Sequence, residues 1–374
     1  MLPVIEVSGA PVERGRQHGR KARDRIAHNL AVYFSRFENE GRVGRSEVLA
    51  RAAEYWPVVC RQNPDYADEL RGLAEGSGNA LLDMVALNLR YEILYHQFTA
   101  NALADAAGGG GSTDAGSAAD GCTAFAVAPE ASSDGRLLMG QNWDWIPDVQ
   151  GVVVRRVKSQ PRALYFTEAG IVGGKIGLNS ARVALAITGL TSTDDDWSRL
   201  GKPFHVRCYE VLNSLSLEEA VAAASDGGGS CSAGFLIGQS GAGVVNIEAA
   251  PGAACRLAPN GGMLVHTNHF IAPEALGVTE PPNPRRPGSE NRLSQMRRIL
   301  ATEGPHSPES LRRGLRDHTG HPDSVCRHFE PDGPDFERYE TVASVVMDVG
   351  SGVMWITDGP PCESPYIELR LDEA

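Results

Sequence analysis

Apolar positions along the chain fall into two regimes, and the change comes at Cys122. Up to about residue 104 they recur at helical spacing. Ile26, Leu30, Tyr33, Phe34 and Phe37 line one face after Pro11, the repeat of an amphipathic helix. Asn63-Pro64 predicts the N-cap and first turn of a second helix, which carries Tyr66, Leu70 and Leu73 and ends near Gly76-Ser77-Gly78. Leu81 to Phe98 is apolar enough to predict a third, buried helix. From Cys122 onward the apolar residues come in short runs between Gly, Asp and Asn turns. The apolar segment Thr123–Ala128 reads as a buried strand, and further strands are predicted at Val152–Val157, Ala163–Thr167, Val183–Thr188, Phe235–Gly238, Val244–Ile247, Met263–His266, Val342–Val349 and Val353–Thr357. Helical spacing returns at about 203–225 and 289–317, the latter opened by Ser289 as an N-cap candidate. Strands in runs with helices in separate blocks predict an α+β fold, sheet packed on sheet with helices outside.

Between the regimes, residues 105–121 hold almost nothing but Gly, Ser, Ala, Thr and Asp. Such a stretch buries too little to offset the entropy of ordering, so it is expected to be mobile. Alone it reads as a linker. It divides a helical small fragment, 1–121, from a strand-rich fragment, 122–374, the two expected to form one folded unit.

Composition narrows the function. The 374 residues suffice for a large core, and 42% hydrophobic with 22% charged residues is ordinary for a soluble globular chain. A net charge of -12 argues against nucleic acid or an anionic membrane as partner. The arginines between Arg14 and Arg25 then read as a solvated helix face. No run approaches the ~18 apolar residues of a membrane span, and no signal peptide or address motif is visible. Seven scattered cysteines without a CxxC pair point to reduced thiols and a cytoplasmic location.

The candidate chemistry centres on Gly121-Cys122. A lone cysteine in an apolar strand is ordinarily an inert core residue. Here a flexible leader runs into Gly-Cys at the head of a strand, which is what a self-cleaving precursor needs. Attack of the Cys122 thiol on the Gly121 carbonyl would give a thioester. Hydrolysis would leave Cys122 with an α-amine titrating near ~7.7–8.0, matched to a thiol near ~8.5. Gln141-Asn142-Trp143-Asp144-Trp145 is either core packing with one carboxylate or a means of holding that amine through Asp144. Asn268, just past the strand Met263–His266, could donate to an oxyanion, and Arg292 could anchor a carboxylate such as Asp144. Two histidine groups invite a metal: His266 with His269, and His318, His321, Cys326 and His328. The first lacks further spaced ligands and the second has an uncommon spacing, so no metal or other cofactor is expected. Phosphate loop, Rossmann fingerprint and G-x-S-x-G elbow are absent from the sequence.

Taken together these residues resemble the acyl-coenzyme A:6-aminopenicillanic acid acyltransferase family of N-terminal-nucleophile hydrolases. The resemblance is carried by Arg14-Gly15-Arg16-Gln17-His18-Gly19, Gly72-Leu73-Ala74-Glu75-Gly76, Asn88-Leu89-Arg90-Tyr91-Glu92 and Gly121-Cys122-Thr123. It continues through Gly140-Gln141-Asn142-Trp143-Asp144, Thr267-Asn268-His269, Asp317-His318 and Gly359-Pro360-Pro361-Cys362. It implies a four-layer αββα sandwich, made as one precursor and cut before Cys122. It further implies Cys122 as nucleophile, Asp144 as the acid after Asn-Trp, Asn268 as oxyanion donor and Arg292 as a supporting arginine. The implied activity is amide hydrolysis of a small N-acyl amide, or acyl transfer from a thioester donor to an amine, with the cleaved fragment retained as a heterodimer partner. An uncleaved, non-enzymatic binding protein on the same fold is the rival of a different class.

Overall fold

The first strand of the chain does not pair with its neighbours in sequence. In the computed structural model, which describes residues 2–107, 121–225, 228–302, 304–329 and 338–372, β1 (Val4–Val7) lies parallel to β4 (Gly151–Arg156), with Val4 opposite Val153. The helical N-terminal part of the chain thus supplies an edge strand to a sheet otherwise built from residues after Cys122. Six helices follow: α1 (Pro11–Lys21), α2 (Arg23–Asn39), α3 (Arg45–Gln62), α4 (Pro64–Ser77), α5 (Leu81–Asn88) and α6 (Arg90–Ala106). Three were expected. Ala22 (φ -115°, ψ 18°) interrupts the first and Leu89 (φ -99°, ψ 9°) the third, while α3 was not foreseen. The second expected helix is α4: the Asn63 side chain accepts from the Tyr66 amide, and Gly78 closes the end at φ 77°. Most of the leader expected at 105–121 lies outside the described residues. Asp105 and Ala106 complete α6, and Gly121 is buried.

The sequence Arg14-Gly15-Arg16-Gln17-His18-Gly19 has a packing reason. Gly15 and Gly19 of α1 face Gly72 and Gly76 of α4 across a backbone contact. A Cβ on Gly15 would lie 1.9 Å from the Glu69 carbonyl oxygen, and one on Gly72 1.9 Å from that of Val12. Arg14 and Glu69 form a buried ion pair at 2.7 Å across the same contact, joined by the Tyr209 hydroxyl.

Past Gly121 the elements are β2 (Thr123–Val127), β3 (Leu138–Trp145), β4, β5 (Ala163–Glu168), β6 (Ile176–Asn179), β7 (Val183–Gly189), α7 (Phe204–Asn213) and α8 (Leu217–Ser225). Then come β8 (Ala233–Gln239), β9 (Gly243–Ala250), β10 (Ala253–Leu257), β11 (Met263–His266), α9 (Pro273–Leu276), α10 (Arg286–Thr302), α11 (Pro308–Gly314), β12 (Glu340–Asp348), β13 (Val353–Ile356) and β14 (Ile367–Arg370). One sheet has the order β1-β4-β5-β6-β7-β8-β9-β10, the other β11-β2-β3-β12-β13-β14. The strands alternate by face. On β2, Ala124 and Ala126 enter the main core, while Phe125 and Val127 meet Met296 and Leu300 of α10 and Leu311 of α11. Helices α7 and α8 cover the larger sheet at β6–β9, and α10 and α11 cover the smaller one. The result is the expected four-layer αββα sandwich. Among the described residues no helix is long and apolar enough to cross a membrane.

Candidate active site

Two antiparallel pairings bring the sequence motifs together. Strand β3 pairs with β2 so that Asn142 lies opposite Thr123, and β11 pairs with the other side of β2 with His266 opposite Ala124. Continuing the second register by two residues puts Asn268 abreast of Cys122. Residues opposite one another share a face. Gln141, Trp143 and Trp145 therefore turn inward between the sheets, and Asn142 and Asp144 turn outward.

The inward residues fasten the sandwich. The Gln141 amide donates to the Ile187 carbonyl at 2.6 Å and accepts from the Ile187 amide at 2.9 Å, bridging the sheets. The rings of Trp143 and Trp145 stack at 6.2 Å. The outward residues position a loop: Asn142 donates to the carbonyls of Leu315 (2.9 Å) and Val325 (2.8 Å).

Cys122 is fully buried at the head of β2. Before it, Gly121 is enclosed so closely that a Cβ there would lie 2.5 Å from Arg327 Nη1, 2.9 Å from Asp144 Cβ and 3.0 Å from Asp144 Oδ2. Arg292, on α10, donates through Nη1 to the carbonyls of Gly121 and Cys122 and through Nη2 to Asn268 Oδ1 at 3.2 Å. Its hydrogen bonds go to these oxygens and to Thr123 Oγ1, and not to Asp144, which corrects the expected pairing. A guanidinium reaches carbonyls here because α10 lies over the end of β2. Asn268 Nδ2 donates to the Gly189 carbonyl at 3.2 Å.

Asp144 is held from elsewhere. Thr341 Oγ1 donates to Asp144 Oδ1 at 2.7 Å, while Oδ2 is buried and makes no hydrogen bond. Burial pushes the Asp144 carboxyl up to about 7, against the pull of Arg292 and Arg327 and the Thr341 bond. Arg327, itself paired with Asp323 at 2.8 Å, and Thr341 went unrecognised in the sequence. Neither lies in a local motif. Thr341 reaches the site because β12 pairs with β3 and sets it opposite Asp144, and Arg327 follows because its amide bonds Thr341 Oγ1 at 3.0 Å.

Ser289 is not the N-cap of its helix. Helix α10 begins at Arg286, and the Ser289 hydroxyl accepts from the Asn268 amide at 2.8 Å and lies 2.7 Å from His269 Nδ1. It serves the turn carrying Asn268. His266 and His269 do not converge: His266 Nε2 lies 2.9 Å from Glu248 and its Nδ1 2.8 Å from Thr188. The second histidine group changes membership. His318, Cys326 and His328 do come together, but the fourth member is Cys362, not His321. The sequence argument about this group considered spacing within residues 318–328 alone, and Cys362 joins from outside that stretch.

A curated relative from Emericella nidulans, the 40 kDa form of acyl-coenzyme A:6-aminopenicillanic-acid-acyltransferase, is 27% identical over 355 residues, covering 92% of this chain and 89% of its own. Among solved structures, the Caenorhabditis elegans ortholog of N-acylethanolamine-hydrolyzing acid amidase is 17% identical with a TM-score of 0.46, covering 61% of this chain and 93% of its own. Penicillin V acylase from Agrobacterium tumefaciens is 13% identical with a TM-score of 0.41, covering 63% and 83%. A family model described as acyl-coenzyme A:6-aminopenicillanic acid acyl-transferase matches residues 131–362. With well over half of its length matched, the chain belongs to the acyl-coenzyme A:6-aminopenicillanic acid acyl-transferase family and is an enzyme.

Proposed function

We propose that the chain is the precursor of an N-terminal-cysteine amidohydrolase, cut between Gly121 and Cys122 and acting on a small N-acyl amide through a thioester acyl-enzyme. The observation that carries this reading is the setting of that peptide bond. Arg292 donates to the carbonyl that would be attacked, and a buried Asp144 oxygen without a hydrogen bond lies 3.0 Å from where a Gly121 side chain would begin.

In the cut, Cys122 Sγ bonds to the Gly121 carbonyl carbon. The bond to the Cys122 nitrogen breaks, and that nitrogen takes up the thiol proton. Arg292 offsets the charge developing on the oxygen. Water then hydrolyses the thioester, leaving a carboxylate on Gly121 and restoring the thiol. The new α-amine, as an ammonium, supplies the partner that Asp144 Oδ2 lacks and draws its carboxyl down from about 7.

In turnover the same group, in its neutral amine form, takes the thiol proton as Cys122 attacks the substrate's acyl carbon, becomes the ammonium that Asp144 holds, and returns the proton to the leaving amine. Asn268 Nδ2, with one hydrogen on Gly189, has its second for the oxyanion. Water as acceptor gives hydrolysis. An amine as acceptor gives acyl transfer, a second reading favoured by the name of the Emericella nidulans relative. Because β1 is held in a sheet of the larger fragment, both fragments stay together as a heterodimer.

Intact mass and N-terminal sequencing of the purified protein test the cut. The expected fragments are 121 and 253 residues, which sum to the 374 of the chain, the larger beginning Cys-Thr-Ala-Phe. Cys122→Ala should stay whole and turn over neither amides nor thioesters, with or without an amine acceptor. Activity in that variant, or a cut elsewhere, overturns the reading. A wild-type chain that stays whole and inactive favours the binding protein.

A further inference from the structure

Around Arg327 in sequence, and at Cys362, four side chains from two separate stretches of chain bring their ligand atoms together. We propose that His318, Cys326, His328 and Cys362 form a structural zinc site. Nε2 of His318 and Nε2 of His328 are 3.2 Å apart, Cys326 Sγ is 3.6 Å from His328 Nε2, Cys362 Sγ is 3.2 Å from His328 Nε2, and the two sulfurs are 3.6 Å apart. All four atoms lie within 4.8 Å of one another.

Four of the six edges of a tetrahedron are thus close to zinc size, and the two from His318 to the sulfurs are no longer than 4.8 Å. Zn–S bonds of ~2.3 Å and Zn–N bonds of ~2.0–2.1 Å require edges of about 3.8 Å between sulfurs, about 3.5 Å between sulfur and nitrogen and about 3.3 Å between nitrogens. A disulfide is the competing use of two thiols, but 3.6 Å is far from a bonded pair at ~2.05 Å. Two thiolates with two imidazoles in a closed tetrahedral set suit zinc and leave no coordination position for substrate. The surroundings complete the arrangement. His328 turns its other nitrogen, Nδ1, toward Glu363 Oε1 at 3.8 Å, the carboxylate that would orient the ring. The Cys326 amide donates to the Asp317 carbonyl at 2.9 Å, closing the loop that carries three of the ligands. His318 and Cys362 are exposed, which gives the ion a way in.

The site explains how a loop of little regular structure holds a side chain at the candidate active site. Arg327 stands between two ligands, and Val325, one residue before the first of them, accepts from Asn142. The ion ties residues 317–328 to the turn at Cys362, so that Arg327 is fixed against Gly121 and Asp144. The ion takes no part in the bond chemistry, and the site does not depend on whether the chain is cut.

The test is elemental analysis of the full-length protein purified under reducing conditions without chelator, followed by cobalt(II) replacement. One zinc per chain is expected, and the cobalt form should show the visible bands of a tetrahedral site with a thiolate charge-transfer band in the near ultraviolet. Cys362→Ser should lose that charge-transfer intensity and bind zinc at least ~100-fold more weakly. Because Cys362→Ser could misfold, His318→Ala provides the same test at an exposed position, whereas Cys255→Ser, remote from the cluster, should keep full zinc. Wild-type protein that takes up neither zinc nor cobalt at saturating metal overturns the site. So does zinc retained at full affinity by His318→Ala, or a mass showing Cys326 and Cys362 oxidised to a disulfide in the reduced preparation.

Discussion

Asn268 can face only one way. Arg292 is a donor without acceptor capacity, so the Asn268 oxygen must turn toward it and the amide nitrogen toward the Gly189 carbonyl. In the proposed mechanism Asn268 is an oxyanion donor fixed at both ends, which needs no reorganisation during turnover, and losing one such donor typically costs ~10²–10³ in rate. Asn268→Ala should therefore lower kcat by about that factor with KM nearly unchanged. Steady-state kinetics showing wild-type kcat with a raised KM would make Asn268 a substrate-binding residue instead. His18 shows a different single-residue effect. Burial drives its pKa from 6.5 to about 4, and its Nε2 accepts from the Gly170 amide, which requires the neutral ring. Between those two pH values the unfolded chain binds a proton that the fold refuses, so stability falls as pH falls through the window. His18→Gln keeps an acceptor and does not titrate. Urea unfolding at about pH 7.5 and about pH 5 should show a smaller acid loss for the variant than for wild type. Equal losses would show that His18 does not carry the effect.

At the scale of elements, the contact between α1 and α4 is set by the absence of side chains. Overpacking a close contact costs typically ~1–3 kcal/mol and occasionally more. Gly15→Ala pushes a methyl into the Glu69 carbonyl, so it should lie at or above the top of that range, read as a lower denaturant midpoint at unchanged slope. A midpoint equal to wild type would mean that the two helices move apart at no cost. The strands were legible in the sequence where apolar runs ended in turn residues, and Met263–His266 has the predicted bounds. Most of those missed were short or lay at sheet edges: β1 and β14 alternate exposed or half-buried with buried or half-buried positions over four residues, too brief to establish a period, while the long central β3 was hidden by the Gln141, Asn142 and Asp144 that interrupt its apolar run. The helix breaks at Ala22 and Leu89 were hidden because neither residue is a breaker. Motifs within a few residues, such as Gly121-Cys122 and Asn142-Trp143-Asp144, were readable. Arg327 and Thr341 were not, and Cys362 was read in a motif but not joined to the histidines, because each gains its neighbours through pairing or loop closure across the fold.

For the whole molecule, the decisive feature is that β1 lies in the sheet beside β4 while residues 108–120 separate its helices from the rest of the chain. A precursor folds as one body, at a rate that does not depend on how much protein is present. Once the bond before Cys122 is cut, the same fold has two chains to reunite, and recovery from denaturant becomes a second-order encounter. Uncut Cys122→Ala should regain its native signal equally well at any dilution. The cut protein should recover less and more slowly as it is diluted, and concentration-independent recovery of both would refute this. Maturation would then act as a ratchet: each molecule is granted one unaided passage into its native state, and an enzyme that later unfolds in dilute surroundings is lost.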